Sequence, residues 1–257
     1  MVAQELWITY IGGPTALIEI GGFRLLTDPT FDPAGVVYGN LAKTRGPVLE
    51  PESLGRVDAV LLSHDHHEDN LDHRGREFLK NAGRVLTTVD GAKRLGGNAF
   101  GLAPWESAEF RVDSVDGSTL KITATPARHG PAHMDRGPVV GFVLKVADSE
   151  QVIYVSGDTV WYEGVAEVAK KYKVEVAILF MGAARVAQVG PWVLTMTSED
   201  GVAAARAFAE ATIVPLHYEG WKHFSESRAD VEKSFAEAGL QHRLKWLEAG
   251  QRVAVRP

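Results

Sequence analysis

The sequence predicts a layered α/β sandwich, with β-sheets inside and helices outside. Short β-prone runs, separated by glycine and proline turns, dominate the first half of the 257-residue chain. In the second half, runs with helical periodicity alternate with further strands. This order is typical of sheets that are covered by helices. No low-complexity linker divides the chain, so we expect one domain over residues 1–257.

The predicted strands begin with three short runs, at 6–11, 15–20 and 23–27, separated by glycine-rich turns. The run 57–62 is almost continuously apolar, which is typical of a strand buried on both faces. The remaining runs predict strands at 84–88, 108–112, 120–125, 139–146, 152–155, 176–180, 212–214 and 243–248.

Three helices are predicted in the second half. An amphipathic stripe with spacing i, i+3, i+4, i+7 starts at Val165. An alanine-rich helix starts at Thr197 and reaches about Glu210. Residues 227–230 resemble a capping box, and Gly239 is expected to end the helix that follows them.

The segment 28–51 is rich in glycine and proline and is too long for an ordinary connection. We therefore expect a functional loop or lid over a substrate cleft. Its side chains best able to contact a substrate are Tyr38, Asn40 and Arg45.

Composition excludes several classes of site. The formal charge is −6 without a long basic run, which argues against nucleic-acid binding. The chain has no cysteine, so a metal would need nitrogen and oxygen ligands. The first residues lack the pattern of a signal peptide, and no apolar run approaches the roughly 18 residues of a membrane span. We therefore expect a cytoplasmic protein that is not an integral membrane protein.

Four short polar motifs follow predicted strands. They are Ser63-His64-Asp65-His66-His67-Glu68-Asp69-Asn70-Leu71-Asp72, Arg128-His129-Gly130, Ser156-Gly157-Asp158-Thr159 and Pro215-Leu216-His217-Tyr218. Side chains at strand ends are held rigidly and can converge on one point. Imidazole and carboxylate are ligands of zinc and manganese. The sequence therefore predicts a metallohydrolase.

Each motif also has a structural interpretation. The first motif could be a polar helix N-terminus, where acidic side chains favour the helix dipole. Taken singly, His129 and His217 are typical of satisfied structural histidines, and Asp158 is typical of a turn. Their joint occurrence with the first motif favours a shared metal site.

The motifs resemble those of the metallo-β-lactamase superfamily over essentially the full chain. That family carries H-x-H-x-D-H, then a distant histidine, an aspartate in a Gly-Asp-Thr context and a late histidine after a strand. The segments 11–19 and 25–29 also resemble the branch of ascorbate-6-phosphate lactonase and N-acylphosphatidylethanolamine phospholipase D. The resemblance implies an αββα four-layer sandwich of two similar halves, with metals between the sheet edges.

The first motif departs from the family pattern. Neither counting forward from His64 nor counting back from Leu71-Asp72 gives the full motif. A one-residue insertion keeps His64 as the first ligand, with His67 and Asp69 as the others. Asn70 then stands where the family has histidine. Because asparagine is a neutral oxygen donor, we expect one ion to bind loosely or to be a harder cation.

The resemblance implies a role for each candidate residue. The implied metal ligands are His64, His66, His67, Asp69, His129, Asp158 and His217, with Asp158 bridging two ions and either or both of His66 and His67 ligating. Asp69 and Asp158 are the implied catalytic residues, Asp69 as proton acceptor. Glu68 is expected to face solvent or another loop, and Asp72 to fix a histidine tautomer.

Several residues near the motifs are candidates for substrate binding. They are Arg128, His133 and Tyr218, with Tyr162 and His223 as further candidates. Arg128 could bind a substrate anion or pair with an acid, and the pattern slightly favours the salt bridge. Each of the others is more often a packing or surface residue.

The predicted function is a metal-dependent hydrolase that uses a metal-bound hydroxide. Its substrate would be a small-molecule ester, lactone, amide or phosphodiester. The cofactor is one or two divalent ions, Zn²⁺ or Mn²⁺, and a homo-oligomer is left open. The alternative is a non-catalytic metal- or ligand-binding protein on the same fold. A flavin-dependent diiron enzyme is disfavoured, because the chain leaves no room for a flavin domain.

Overall fold

The computed structural model describes residues 5–111, 119–147 and 149–255. The strands are β1 (Leu6–Gly12), β2 (Thr15–Ile20), β3 (Phe23–Thr27), β4 (Val37–Tyr38), β5 (Leu41–Ala42), β6 (Ala59–Leu61), β7 (Arg84–Thr87), β8 (Ala99–Gly101), β9 (Ser107–Arg111), β10 (Thr119–Pro126), β11 (Val140–Val146), β12 (Val152–Val155), β13 (Val176–Phe180), β14 (Thr212–Leu216) and β15 (Arg252–Ala254). The α-helices are α1 (His73–Phe78), α2 (Val89–Leu95), α3 (Glu163–Lys171), α4 (Ser198–Ala207) and α5 (Arg228–Glu237). Four short 3-10 turns lie at Pro51–Leu54, Leu79–Asn81, Ala132–Met134 and Gln241–Arg243.

The strands form two large sheets and one small hairpin. The first sheet has the order β15-β1-β2-β3-β6-β7-β8, and the second has the order β14-β13-β12-β11-β10-β9. In each sheet, antiparallel strands on one side continue into parallel strands on the other. The two halves are therefore similar, as the resemblance implied.

Alternating side chains on the strands separate the molecule into layers. Ile178 of β13 and Ile122 of β10 face the first sheet in a core shared by both sheets. Leu179 of β13 faces the opposite way and packs with α3, α4 and α5. Val60 of β6 packs with residues of α1 and the following turn. This two-residue alternation builds the predicted αββα four-layer sandwich.

Helix starts follow the predicted capping chemistry. Thr197 and Asp200 form a reciprocal capping box at α4, and Ser227 and Asp230 form another at α5. At α1, Asp72 accepts a hydrogen bond from the Gly75 amide. Asp72 is thus an N-cap, as in the structural interpretation of the first motif.

The strand predicted at 243–248 is wrong. Residues Gln241–Arg243 form a 3-10 turn, and only Leu244 makes an isolated bridge to β14. The Arg243 guanidinium donates to the carbonyl oxygens of Ala205, Phe208 and Ala211, which ties the segment to the end of α4. The strand predicted at 108–112 forms as β9, although residue 112 lies outside the described residues.

The segment 28–51 carries the small hairpin β4–β5 and is attached at several points. The Thr44 amide donates to Gly220 at 2.8 Å, and the Lys222 amide donates to Ala42 at 3.0 Å. These bonds join the hairpin to the loop after β14.

Among the described residues, no helix is both long and apolar enough to cross a bilayer.

Candidate metal centre

The four polar motifs meet at one edge of the two sheets. His64 follows β6, His129 follows β10, Asp158 follows β12 and His217 follows β14. Their ligand atoms form overlapping groups that could each hold a metal ion. All four residues are buried, at 0–4% exposure, so packing fixes their positions.

The first group is rich in imidazole. Nε2 of His64 lies 2.9 Å from Nδ1 of His67, and Nε2 of His129 lies 3.2 Å from the same Nδ1. Nε2 of His129 lies 3.8 Å from Oδ2 of Asp158. Ligands of a tetrahedral zinc ion with bonds of ~2.1 Å are about 3.4 Å apart, which these distances bracket.

The second group is richer in oxygen. Nε2 of His217 lies 3.5 Å from Oδ1 of Asp158 and 3.6 Å from Oδ2 of Asp69. Asp158 therefore directs Oδ2 towards the first group and Oδ1 towards the second. Each group could therefore use one oxygen of the same carboxylate if it held an ion.

Unpartnered polar atoms test whether a metal fits here. Both carboxylate oxygens of Asp158 and both ring nitrogens of His217 are buried without a hydrogen-bond partner. Such atoms are rare in native proteins, because desolvation without a partner costs about 1–3 kcal/mol for each group. A divalent cation would satisfy them, so the donor set fits a metal ion.

Outer hydrogen bonds orient the imidazoles. Nδ1 of His129 lies 2.9 Å from the Leu194 carbonyl oxygen, so this nitrogen carries the proton and Nε2 is free for a metal. Nδ1 of His64 lies 2.9 Å from Oγ of Ser63. Both rings present Nε2 to the centre.

Burial and charge set the protonation of each group. Burial, reinforced by the neighbouring imidazoles, lowers the pKa of His64 well below its usual value and that of His67 to about 3. Neutral imidazoles are the form that binds metals. Burial opposes protonation of His217 as well, but Asp158 and Asp69 raise its pKa to about 10. The two carboxylates of the second group therefore stabilise a positive charge beside them.

The loop after β14 holds His217 in an uncommon conformation. His217 has φ of 55°, and its amide donates to the Gly13 carbonyl at 2.9 Å. Its ring lies between those of Phe180 and Phe224, with centroid distances of 5.4 and 4.8 Å. Left-handed backbone at a non-glycine residue costs about 1–3 kcal/mol and is often found at functional sites.

The side chains of the first motif lie in different surroundings. His67 and Asp69 point into the centre, whereas Glu68 is half-buried at the rim of a cavity. His66 belongs to a possible ligand group with His64 and His67, but its Nε2 lies 2.9 Å from the Arg136 carbonyl oxygen.

Asp72 lies away from the metal centre. It accepts hydrogen bonds from the amides of Phe31 and Asp32 at 2.9 and 2.7 Å. It also forms a 2.8 Å ion pair with Lys43, and both side chains are buried. The expectation that Asp72 fixes a histidine tautomer is therefore wrong, because all its described partners are structural.

Asn70 forms its hydrogen bond through the amide nitrogen, whereas its Oδ1, the atom expected to act as a ligand, is buried without a partner. Its Nδ2 donates to Oδ2 of Asp28 at 3.2 Å, and the Ser63 amide donates to Oδ1 of Asp28 at 2.6 Å. Burial raises the pKa of Asp28 to about 7. Sequence reasoning missed Asp28, although it follows β3 at the same sheet edge as the four motifs.

A cavity of about 180 Å³ opens onto the centre. His67, Asp69, His129 and His223 form its polar floor. Apolar side chains form one wall: Leu41, Ala184, Val186, Val189 and Leu194. Tyr38 and Asn40 of the segment 28–51 also line it, as predicted for a lid, whereas Arg45 pairs with Glu219.

His223 contacts the residues of the centre through Asp69. Its Nε2 lies 3.0 Å from Oδ2 of Asp69, and its Nδ1 is buried without a partner. Burial would raise the pKa of Asp69, but the neighbouring imidazoles of His217 and His223 hold it well below its usual value. The sequence marked His223 only as one of several candidates for substrate binding.

The other four substrate-binding candidates, Arg128, His133, Tyr162 and Tyr218, are not among the described residues that line this cavity. Arg128 lies 3.6 Å from Glu163 and stacks over Tyr162 at 4.3 Å. His133 packs edge-on against Trp192, and Tyr218 is buried against Trp246. Their substrate-binding role stays a prediction.

Comparisons with known proteins agree with this geometry. A family model described as a beta-lactamase superfamily domain matches residues 23–218. A UPF0173 metal-dependent hydrolase from Caldivirga maquilingensis is 29% identical over 233 residues, covering 88% of this chain and 87% of the relative. The UPF0173 protein YddR from Bacillus subtilis is 26% identical and covers 95% of this chain and 98% of the relative.

Solved structures are similar over nearly the whole length. The isothiocyanate hydrolase from Delia radicum gut bacteria superposes with a TM-score of 0.81 at 25% identity, covering 98% of this chain and 100% of that one. A structure from Veillonella parvula, described as a possible metal-dependent hydrolase, has a TM-score of 0.83 at 20% identity and covers 99% and 100%. The second likeness concerns the fold alone.

Proposed function

Since the chain belongs to the beta-lactamase superfamily, we propose that it is a metal-dependent hydrolase of small molecules over residues 1–257. One observation carries this proposal. Asp158 and His217 bury four polar atoms without partners at the point where three imidazoles and Asp69 converge. The names of the UPF0173 relatives support the same reaction class.

The two groups suit different cations. His64, His67 and His129 would hold an ion that favours imidazole, such as Zn²⁺, with Asp158 as the fourth ligand. Asp69, Asp158 and His217 would hold a second ion, and their two carboxylates also suit Mn²⁺. Divalent ions bound there supply Lewis acidity and increase the acidity of water at neutral pH.

The protein side chains position the reactants. Asp69 lines the cavity, whereas Asp158 does not, so Asp69 is the carboxylate placed to accept a hydrogen bond and then the proton from an attacking water. His223 fixes Asp69 through its Nε2. The apolar wall formed by Leu41, Val186 and neighbouring side chains excludes other water from the reacting bond.

The cavity limits the substrate class. At about 180 Å³ it lies below the roughly 300 Å³ at which pockets for drug-sized ligands begin. A compact ester, lactone, amide or phosphodiester fits this description. The similar isothiocyanate hydrolase makes an isothiocyanate a second candidate, because a small apolar substituent would suit the wall.

Elemental analysis and turnover test the proposal together. Protein purified without chelator should contain one to two equivalents of divalent metal. It should turn over at least one member of a panel of small esters, lactones, phosphodiesters and isothiocyanates. Chelation should abolish turnover, and added Zn²⁺ or Mn²⁺ should restore it. A metal-loaded protein that is inert on the whole panel would favour the alternative, a non-catalytic metal-binding protein.

A further inference from the structure

Arg136 lies at the rim of the cavity, and His66 holds its backbone. We propose that His66 is a positioning residue rather than a metal ligand, and that it places the Arg136 guanidinium to bind an anionic group of the substrate. The group would be a carboxylate, sulfonate or phosphate. This inference rests on the proposed function, because it names the substrate class of that site.

His66 differs from His64, the first histidine of its motif, in exposure and in the contact of its Nε2. Its side chain is 26% exposed, whereas His64 is fully buried at the centre. The His66 ring directs Nε2 at the Arg136 carbonyl oxygen, 2.9 Å away. Because a carbonyl oxygen only accepts, this nitrogen must carry the proton, and it is then unable to bind a metal.

The other ring nitrogen of His66, Nδ1, lies in different surroundings from Nδ1 of His67. Nδ1 of His67 lies within 3.2 Å of both His64 and His129. Nδ1 of His66 has no hydrogen-bond partner among the described residues, and its ion-pair contact is with Asp65 at 3.9 Å. The first group is thus complete without His66.

Two hydrogen bonds fix the backbone of Arg136, and both come from histidines of the motifs. The Arg136 amide donates to the His129 carbonyl at 2.9 Å, and its carbonyl accepts from His66. The next residue, Gly137, has φ of 105°, and a Cβ there would lie 3.1 Å from Nε2 of His66. Glycine therefore permits the close approach of the ring to this loop.

The side chain of Arg136 is available for a ligand. It lines the cavity together with His67, Asp69 and His129. The structure shows no hydrogen bond or ion pair of its guanidinium within residues 5–111, 119–147 and 149–255. A guanidinium offers a planar pair of donors that matches carboxylate and phosphate oxygens. Glu68 also lines the cavity and would weaken the binding of an anion.

The geometry predicts a preference between matched ligands. Succinate can place one carboxylate at the metal centre and the other at Arg136, whereas butanoate has the same chain length and only one carboxylate. Titration calorimetry of the zinc-loaded protein should show succinate binding at least about tenfold more tightly, which corresponds to about 1.4 kcal/mol.

Matched variants test the anion site at Arg136 and the positioning role of His66 separately. Arg136→Gln should reduce the succinate preference to within about twofold. Arg206→Gln, an exposed arginine on α4, should retain it. His66→Gln can still donate to the Arg136 carbonyl and should retain most of the preference, whereas the shorter His66→Asn should lose it. Glu68→Gln should strengthen succinate binding.

Metal content gives a readout that does not depend on activity. Both His66 variants should contain as much zinc as the wild type, because His66 is not a ligand. Loss of a zinc equivalent in His66→Gln would overturn the positioning role. Equal affinities for succinate and butanoate in the wild type would overturn the anion site. If the preference depends on Arg136 but no substrate is hydrolysed, the inference stands and the proposed hydrolase function fails.

Discussion

The buried ion pair between Lys43 and Asp72 offers a quantitative test of how the segment 28–51 is held in place. Asp72 joins three parts of the chain, because it caps α1, accepts from two amides of the segment 28–51 and pairs with Lys43. The two substitutions Asp72→Ala and Lys43→Met remove opposite ends of the pair. We expect them to have unequal effects.

The magnitude follows from the partners left behind. In Asp72→Ala, the 4%-exposed Lys43 loses its 2.8 Å ion pair, and three amides lose their acceptor. Removing one partner of a buried pair costs about 3–5 kcal/mol. In Lys43→Met, Asp72 keeps three amide donors, so we expect a loss of about 1–2 kcal/mol.

Denaturant unfolding of the two variants, at a fixed metal concentration, measures both free energies. The metal concentration must be constant, because any ligand that binds the folded state adds stability. For a chain of this size, Asp72→Ala should lower Tm by roughly 6–20 °C. The double variant should be more stable than Asp72→Ala alone, because the unpaired lysine has gone.

Three results would refute this reasoning. One is a loss below about 1 kcal/mol for Asp72→Ala, which would show that the pair is not buried in solution. Another is a larger loss for Lys43→Met than for Asp72→Ala. The third is a double variant that is less stable than either single variant.

Three further predictions concern the centre. Asp158→Ala should abolish hydrolysis while elemental analysis still finds metal on His64, His67 and His129; full activity would contradict the bridging role. Burial raises the pKa of Asp28 to about 7. In chelator-treated protein, the free energy of unfolding of the wild type should therefore fall relative to that of Asp28→Asn as pH rises from about 4 to about 7. A difference between the two free energies that stays constant with pH would contradict this. Tyr218→Phe should change KM less than about twofold, because the ring packs against Trp246; a larger effect would restore its predicted role in substrate binding.

Much of the fold could be predicted because local patterns agree with the final packing. The runs at β2, β3, β12 and β13 are bounded by turns, and their predicted limits are confirmed. The helix start at Thr197 and the capping box at Ser227 are confirmed for the same reason. The superfamily is confirmed, and the branch that the opening hairpin resembled stays a prediction.

Tertiary contacts decided the elements that sequence reasoning missed. The segment 243–248 has strand-like composition, but Arg243 anchors it to carbonyl groups more than 30 residues away. Asp72 has the residue type of an outer ligand, but its geometry depends on Lys43, which comes 29 residues earlier. Asp28 lies in the segment 25–29, which supplied a resemblance but no site residue, and Arg136 lies in no motif. Only the folded chain places both beside the centre.

The hairpin β4–β5 has a consequence for how enzymes of this architecture diversify. Residues 42–44, where the hairpin ends, are fastened to the loop after β14 and to Asp72, whereas Gly39 at its tip has no atom within 4 Å of an added Cβ. Mutations can therefore accumulate at the tip, beside Tyr38 and Asn40, without disturbing the residues of the candidate metal centre. Substrate preference can therefore change through substitutions at the tip, while the residues that would perform the reaction stay the same.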